Sequence, residues 1–322
     1  MPHHAWLFSL LIGVTSSIGL SAGLSAAENS FALEETTIAE IQEAVSAGAL
    51  SSERLVELYL ARIAAYDRAG PRLNSIIYIN PNATAEAAAL DKERAEKGPR
   101  GPLHGIPILL KDNVDVANMP TTNGSAIMKD AIPPEDGSIT KALRAAGAVI
   151  LGKAAMGEFA GGSYNSVRGQ TLNPYNVKRN TGGSSSGSGA AISANFAVLA
   201  IGTDTSTSVR GPAAYTGIVG MRPTTGLISR AGIAPKNLNF DSAGPMARTV
   251  TDLALMMNVL AFPDPKDPKN VEVWGEVEKL DPTAKSGVDF TKALDKDALK
   301  GRKLGVLRDL FEGDPEIAAL AE

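Results

Sequence analysis

The stretch that decides the fold is Gly105-Ile106-Pro107-Ile108-Leu109-Leu110-Lys111-Asp112-Asn113. Its apolar run, residues 106–110, is typical of a strand that is buried on both faces. Similar short runs follow at residues 148–151, 197–201, 218–221 and 304–307. Helical periodicity separates them, for example at 139–146 and 250–260. Strands that alternate with helices predict an α/β/α sandwich around a central mixed, twisted sheet.

Three helices are predicted before this stretch. Thr37 and Glu40 fit a capping box for the first, Ser51 or Ser52 can begin the second, and the third spans 83–97. We therefore predict an N-terminal helical segment over 28–100 and a core over 101–322. Residues 264–300 are polar and are predicted to form a surface excursion. A further strand is expected at 303–308, with one more helix after it.

Composition excludes several classes of function. The net charge is −4 and no basic block occurs, so nucleic acid is not an expected partner. Cysteine is absent, which excludes a thiol nucleophile, a thiolate metal site and disulfides. The three histidines are His3, His4 and His104. No metal or organic cofactor is indicated, and the oligomeric state cannot be inferred.

Residues 1–27 are predicted to be a signal peptide. An uncharged apolar stretch, 6–24, is followed by the small residues Ser25-Ala26-Ala27, and polar residues come next. The front end lacks Lys and Arg, and an uncleaved anchor or a buried helix is the alternative. No later segment approaches the ~20 apolar residues that span a bilayer. The expected location is secreted or periplasmic, with no other membrane association.

Lys111 stands at the end of an apolar strand. Burial there would disfavour the ammonium form and lower its pKa, and a neutral amine can act as a base near neutral pH. The alternative is a lysine whose ammonium reaches solvent at the strand end.

A cluster of glycine and serine occupies residues 182–189, and a helix is expected to begin within it. Residues 183–187 also match the G-x-S-x-G pattern of α/β-hydrolases. That pattern requires a histidine later in the chain, and none follows His104. A phosphate loop is excluded as well, because no lysine precedes the serines.

A third polar segment, 202–213, follows the predicted strand 197–201. Backbone N–H groups in such a strand-end loop can form an oxyanion hole. Asp204 and Arg210 are expected to pair and to support the loop. Thr205, Ser206, Thr207 and Ser208 all carry hydroxyls, so composition alone does not choose a nucleophile. Without a usable His or Cys, lysine is the best candidate to activate a serine.

These segments resemble the amidase signature family. The resemblance covers residues 34–322 and rests on ordered motifs: Gly101-Pro102-Leu103-His104-Gly105-Ile106-Pro107, Lys111-Asp112-Asn113, Gly152-Lys153, Glu158-Phe159, Asn173-Pro174-Tyr175, Gly182-Gly183-Ser184-Ser185, Gly202-Thr203-Asp204-Thr205, Ser208-Val209-Arg210, Gly220-Met221-Arg222-Pro223-Thr224 and Gly244-Pro245-Met246.

The resemblance implies an amidase that cleaves a carboxylic amide through a seryl acyl-enzyme. It implies Lys111 as the base, Ser184 as the bridging serine after a cis peptide bond, and Ser208 as the nucleophile. The N–H groups of Thr205, Ser206, Thr207 and Ser208 would hold the oxyanion. The implied partner is a small-molecule amide. Met119, Met156, Tyr164, Ser185 and Ile233 are candidate substrate contacts because they lie near these motifs in the sequence, and core packing explains the apolar ones equally well.

Two departures from the family pattern matter. Ser206-Thr207 replaces the usual Gly-Gly, and a positive φ there would strain both residues. The family domain also continues beyond this length, so a C-terminal part is expected to be missing. The alternatives are a degenerate, non-catalytic homologue, a glutaminase-type amidotransferase subunit, and a carbamate or ester hydrolase with the same triad.

Overall fold

The computed structural model describes residues 31–308 and 315–321. The predicted signal peptide, 1–27, lies outside the described residues, and its removal and the export of the protein stay predictions. Within the described ranges, no helix combines the length and the apolar character that a bilayer crossing needs.

Helices and short strands alternate along the chain. The α-helices are α1 (Ile38–Ser46), α2 (Ser52–Ile63), α3 (Ala83–Lys97), α4 (Ser138–Ala145), α5 (Ser186–Ser193), α6 (Arg210–Tyr215), α7 (Val250–Leu260), α8 (Pro268–Leu280) and α9 (Pro315–Ala321). The strands are β1 (Ile76–Ile79), β2 (Pro107–Lys111), β3 (Val149–Ala154), β4 (Tyr164–Asn165), β5 (Gly169–Gln170), β6 (Leu199–Asp204), β7 (Val219–Gly220) and β8 (Ser242–Ala247).

Side-chain caps fix the starts of the first two helices. Thr37 Oγ1 accepts a hydrogen bond from Glu40 N, and the Glu40 carboxylate accepts one from Thr37 N at 2.9 Å, which completes the predicted capping box. Ser51 Oγ accepts from Arg54 N at 3.0 Å and begins α2.

Six strands form one mixed sheet in the order β1-β3-β2-β6-β8-β7. β2 runs parallel to both β3 and β6, whereas β1, β8 and β7 pair antiparallel with their neighbours. Lys111, the last residue of β2, lies opposite Ala154 of β3. The predicted mixed sheet is confirmed.

Helices cover the sheet on both sides. Every residue of β2, β3 and β6 is buried, as expected of strands with a layer on each face. The helix α5 packs against β1, β2, β3, β6 and β8 and contacts α6. The helices α4 and α7 contact each other and pack against β3, β6, β7 and β8. This arrangement agrees with the predicted α/β/α sandwich.

Several element predictions need correction. β1 and β8 were not predicted; β1 lies inside the segment predicted to be helical, and Gly244 and Pro245 interrupt the apolar pattern of β8. Residues 303–308 do not form a strand among the described residues, and Leu304 is 70% exposed. A strand requires a paired neighbour, and no described strand pairs with this run.

The segment 264–300 is not only a surface excursion. It contains α8, whose Trp274 is 1% exposed and donates its indole N–H to Leu227 O at 3.0 Å. Asn270, also on α8, is fully buried. One face of this polar-looking segment therefore belongs to the core.

Candidate active site

The predicted site residues come together where β2 and β6 end. These two strands are parallel neighbours, so their carboxyl ends meet at the same edge of the sheet. β2 ends at Lys111 and β6 ends at Asp204. The loop before α5 brings Ser184 to the same edge, where it contacts Lys111. The fold thus assembles three segments that are distant in sequence.

Lys111 is fully buried and has three hydrogen-bond partners. Its Nζ lies 2.8 Å from Ser184 Oγ, 2.8 Å from Thr203 Oγ1 and 3.1 Å from Thr203 O. The carbonyl can only accept, and Thr203 Oγ1 also lies 3.2 Å from Asn113 Nδ2, a donor. A neutral amine can donate its two N–H bonds to Thr203. Its lone pair can then accept a hydrogen bond from the Ser184 hydroxyl.

Burial lowers the pKa of Lys111 to about 7. Desolvation is the largest cause, because it penalises the charged ammonium. Asp204 and Asp241 oppose the decrease in this pKa, and Lys236 adds to it. No carboxylate forms an ion pair with Lys111 within the described residues. The amine is therefore poised to exchange a proton near neutral pH.

Close backbone packing positions Ser184. A Cβ on Gly183 would lie 1.9 Å from Gly162 O, so only glycine fits directly before Ser184. The Gly183–Ser184 peptide bond is cis. Ser184 is 1% exposed, and its carbonyl accepts from Gly157 N at 3.1 Å. The hydroxyl is thus held inside the protein, facing Lys111.

Asp204 organises the loop after β6. Its Oδ2 accepts hydrogen bonds from Val209 N at 3.0 Å and Arg210 N at 3.3 Å. Arg210 also forms an ion pair with this carboxylate at 3.2 Å, and Arg222 forms a second at 3.3 Å. Burial raises the pKa of Asp204, but the bonds from Arg210 and Val209 outweigh it and hold the pKa below its ordinary value.

Ser208 lies in this loop and contacts the serine cluster. It is 7% exposed, and its carbonyl accepts from Ser185 N at 3.1 Å. The N–H groups of Ser206, Thr207 and Ser208 have no acceptor among the described residues. Among the described residues, no hydrogen bond joins Ser208 Oγ to Ser184 Oγ, whose partner is Lys111 Nζ.

Ser206 and Thr207 do not adopt the strained conformation that a replaced Gly-Gly pair could impose. Neither is among the described non-glycine residues with a positive φ. Both side chains are exposed, and Arg210 Nη2 donates a hydrogen bond to Ser206 O. The loop therefore accommodates these two residues without left-handed backbone.

The candidate substrate contacts are dispersed. Met156 and Ser185 are fully buried, and the Ser185 hydroxyl bonds to the backbone of Thr203 at 3.2 Å. This hydroxyl therefore supports β6. Met119 is 2% exposed, whereas Tyr164 on β4 is 60% exposed. Ile233 lines a cleft beside Lys111.

That cleft is lined by two residues predicted from the sequence, Thr205 and Ile233, and by others that the sequence did not indicate. The other lining residues include Asn113, Thr203, Lys236 and Asp241. A larger, more open depression nearby contains Arg230 and Lys269, but they pair with Asp267 and Glu272. The smaller cleft is the better candidate for the site because its Thr203 contacts Lys111.

A second buried lysine lies beside the site. Lys153 on β3 donates to Pro120 O at 3.1 Å and Thr121 Oγ1 at 3.2 Å, and its Nζ lies 3.8 Å from Asp112 Oδ1. Burial lowers its pKa to about 8, although Asp112 and Asp115 oppose this decrease. His104 is buried too, with Nε2 2.9 Å from Leu90 O, and takes no part in this site.

Known proteins resemble this chain in sequence and in fold. A family model described as Amidase matches residues 54–322. The chain belongs to the amidase signature family. Among solved members, an amidase family protein from Bacillus anthracis superposes with a TM-score of 0.83 at 41% identity, covering 90% of this chain and 57% of that one. Peptide amidase from Stenotrophomonas maltophilia gives 0.73 at 46% identity, covering 74% and 50%.

Curated relatives in the family carry a different name. The glutamyl-tRNA(Gln) amidotransferase A subunit of Streptomyces avermitilis is 41% identical over 281 residues, which is 86% of this chain and 53% of that protein. Its counterpart in Geobacter metallireducens, which has the same name, is 40% identical over 289 residues, 88% of this chain and 56% of that protein. The chain spans about half the length of the curated relatives it matches.

Proposed function

We propose that this amidase signature protein hydrolyses the C–N bond of a carboxylic amide through a seryl acyl-enzyme. Ser208 is the nucleophile, Ser184 the bridging proton relay and Lys111 the base. Supporting observations are the family membership and the buried amine of Lys111, which has no ion-pair partner among the described residues and lies 2.8 Å from Ser184 Oγ. That contact carries the proposal, because it gives a serine relay a base without histidine.

The first half of the reaction forms the acyl-enzyme. Ser208 Oγ attacks the amide carbon while its proton passes to Ser184 Oγ, and the Ser184 proton passes to the Lys111 lone pair. The carbonyl oxygen becomes an oxyanion held by N–H groups of residues 205–208. When the C–N bond breaks, the proton returns through Ser184 to the leaving nitrogen, and ammonia or an amine departs.

Water completes the cycle by the same relay. It attacks the ester carbon of the acyl-enzyme, loses a proton through Ser184 to Lys111, and releases the carboxylic acid as Ser208 regains its hydrogen. The hydrogen bond between the two serines is expected to close when substrate is bound, since catalytic hydrogen bonds are often long in free enzymes.

Covalent labelling tests this proposal without a known substrate. A fluorophosphonate should add once to the folded protein, and intact-mass measurement should show no adduct on Ser208→Ala. Ser186→Ala is the matched control: its hydroxyl, in the same cluster, contacts Thr171 Oγ1 at 3.3 Å and should be dispensable for labelling. No adduct on folded wild-type protein would favour a non-catalytic, binding homologue.

A second candidate function is that of a glutaminase-type amidotransferase subunit. The names of the curated relatives favour it. Ammonia release from glutamine that depends on added partner subunits would support it. Hydrolysis of peptide amides by the isolated chain would support the first candidate. Hydrolysis rates across a panel that also contains carbamates and esters would define which acyl compounds the site cleaves. Export, predicted from residues 1–27, fits the first candidate better, because tRNA-linked amidation is cytosolic.

A further inference from the structure

We propose that Asp241 is a positioning residue that holds the loop of residues 205–208 in its catalytic conformation through Thr205. This inference rests on the proposed function, since it assigns the element that fixes the proposed oxyanion hole. Asp241 immediately precedes β8 and was not among the residues predicted from sequence.

The contacts of Asp241 connect two loops. Its Oδ1 accepts a hydrogen bond from Thr205 Oγ1 at 2.5 Å. Its Oδ2 accepts hydrogen bonds from Lys236 N and Asn237 N, each at 2.8 Å. Asp241 is 8% exposed. A carboxylate with three donors around it is a strong and directional acceptor, so it fixes Thr205 relative to the 233–241 loop.

The 233–241 loop is itself anchored to the site at its other end. Ala234 N donates to Asn113 O at 2.8 Å, and Asn113 Nδ2 donates to Ala234 O at 3.2 Å. Asn113 Nδ2 also contacts Thr203 Oγ1, the partner of Lys111. The loop therefore has a fixed reference on the strand ends that carry the base.

Thr205 begins the segment whose N–H groups face no described acceptor. The other end of that segment is fixed, because Val209 N and Arg210 N donate to Asp204. The hydrogen bond from the Thr205 hydroxyl to Asp241 fixes the start of the segment. With both ends held, the intervening N–H groups have a defined direction, which is the requirement for oxyanion stabilisation.

Arg222 adds a parallel connection between the same elements. Its guanidinium donates to Asp204 O and, at 2.8 Å, to Phe240 O, the residue before Asp241. The backbone of 240–241 thus stays in place when the Thr205 hydroxyl is removed. Thr205→Val should therefore loosen the 205–208 segment without unfolding the loop behind it.

The experiment measures the fluorophosphonate labelling of Ser208 in the full chain, resolved into the maximal rate constant and the half-saturating concentration. Thr205→Val should lower the maximal rate constant about 10- to 100-fold, as expected of a small misplacement of catalytic groups. The half-saturating concentration should hardly change. Thr205→Ser should restore the rate, because the hydroxyl returns.

A double-mutant cycle separates positioning from general damage. Asp241→Asn should slow labelling too, and Asp241→Asn/Thr205→Val should be no slower than the slower single variant. The matched controls are Thr291→Val and Asp289→Asn, which remove the same kind of hydroxyl–carboxylate bond, also 2.5 Å, at a surface turn. They should label like the wild type.

The outcomes distinguish this inference from the proposed function. If the wild type is not labelled, the proposed function fails. If the wild type is labelled and folded Thr205→Val is labelled at the same rate, this inference alone is overturned. Additive losses in the double variant would overturn it as well, because they would show that Asp241 and Thr205 act independently.

Discussion

Lys111 Nζ and Ser184 Oγ lie 2.8 Å apart inside the protein, although 73 positions separate them in the sequence. One residue ends a strand and the other precedes a helix, so the contact exists only in the assembled sheet. The short distance and the burial of both groups make proton exchange between them feasible at neutral pH.

Removing the bridging hydroxyl should reduce turnover without removing the nucleophile. Ser184→Ala is expected to lower kcat/KM on an amide substrate by ~10²–10⁴, the range for loss of general acid–base catalysis. Slow labelling of Ser208 should persist. Ser186→Ala should keep wild-type turnover, and comparable losses in both variants would show damage to the cluster and not a specific relay.

Lys153 should contribute to stability because of its buried partner. Lys153→Met leaves the Asp112 carboxylate buried without the ammonium at 3.8 Å, and breaking such a pair typically costs 3–5 kcal/mol, so a loss of about 3 kcal/mol in the free energy of unfolding is expected. Urea denaturation followed by circular dichroism measures it.

An exposed pair supplies the control for Lys153. Lys141 contacts Glu135 at the surface, with 46% of the Lys141 side chain exposed. Lys141→Met should leave the urea midpoint almost unchanged, since exposed pairs add little to stability. Equal effects of the two substitutions would contradict the assignment of Lys153 as a buried structural cation.

Ser206 and Thr207 should tolerate replacement by the glycines usual in the family. Because neither residue has a positive φ, glycine relieves no strain there and only increases the freedom of the unfolded chain. Ser206→Gly/Thr207→Gly should therefore lower the free energy of unfolding by about 1 kcal/mol and keep Ser208 labelling. A more stable double variant would show that the native loop is strained.

The buried parallel strands could be predicted from the sequence. The segment that carries each proposed catalytic residue could be predicted as well. The apolar runs of β2, β3 and β6 indicate strands covered on both faces, and Lys111 stands out at the end of one. β8 was missed because Gly244 and Pro245 interrupt its apolar pattern. The strand predicted at 303–308 is wrong for a different reason: residues 304–307 are largely apolar, but no described strand pairs with them.

The contacts that support the site could not be predicted from the sequence. Asp241 and Arg222 act through loops whose approach depends on the three-dimensional path of the chain. Ser185 was a candidate substrate contact, yet it is buried and its hydroxyl bonds to the backbone of Thr203. Tyr164 was grouped with it by nearness to motifs, and it lies on an exposed hairpin. Sequence proximity therefore identified segments but not the direction of side chains.

The most direct measurement is the rate of fluorophosphonate labelling of Ser208 as a function of pH. Protonated Lys111 cannot accept the Ser184 proton, so lowering the pH through the Lys111 pKa of about 7 should remove reactivity. The predicted rate rises with pH, with an apparent pKa of about 7, and reaches a plateau above it. A rate that does not depend on pH, or that rises only near the ordinary lysine pKa of about 10.4, would contradict a neutral amine at this position.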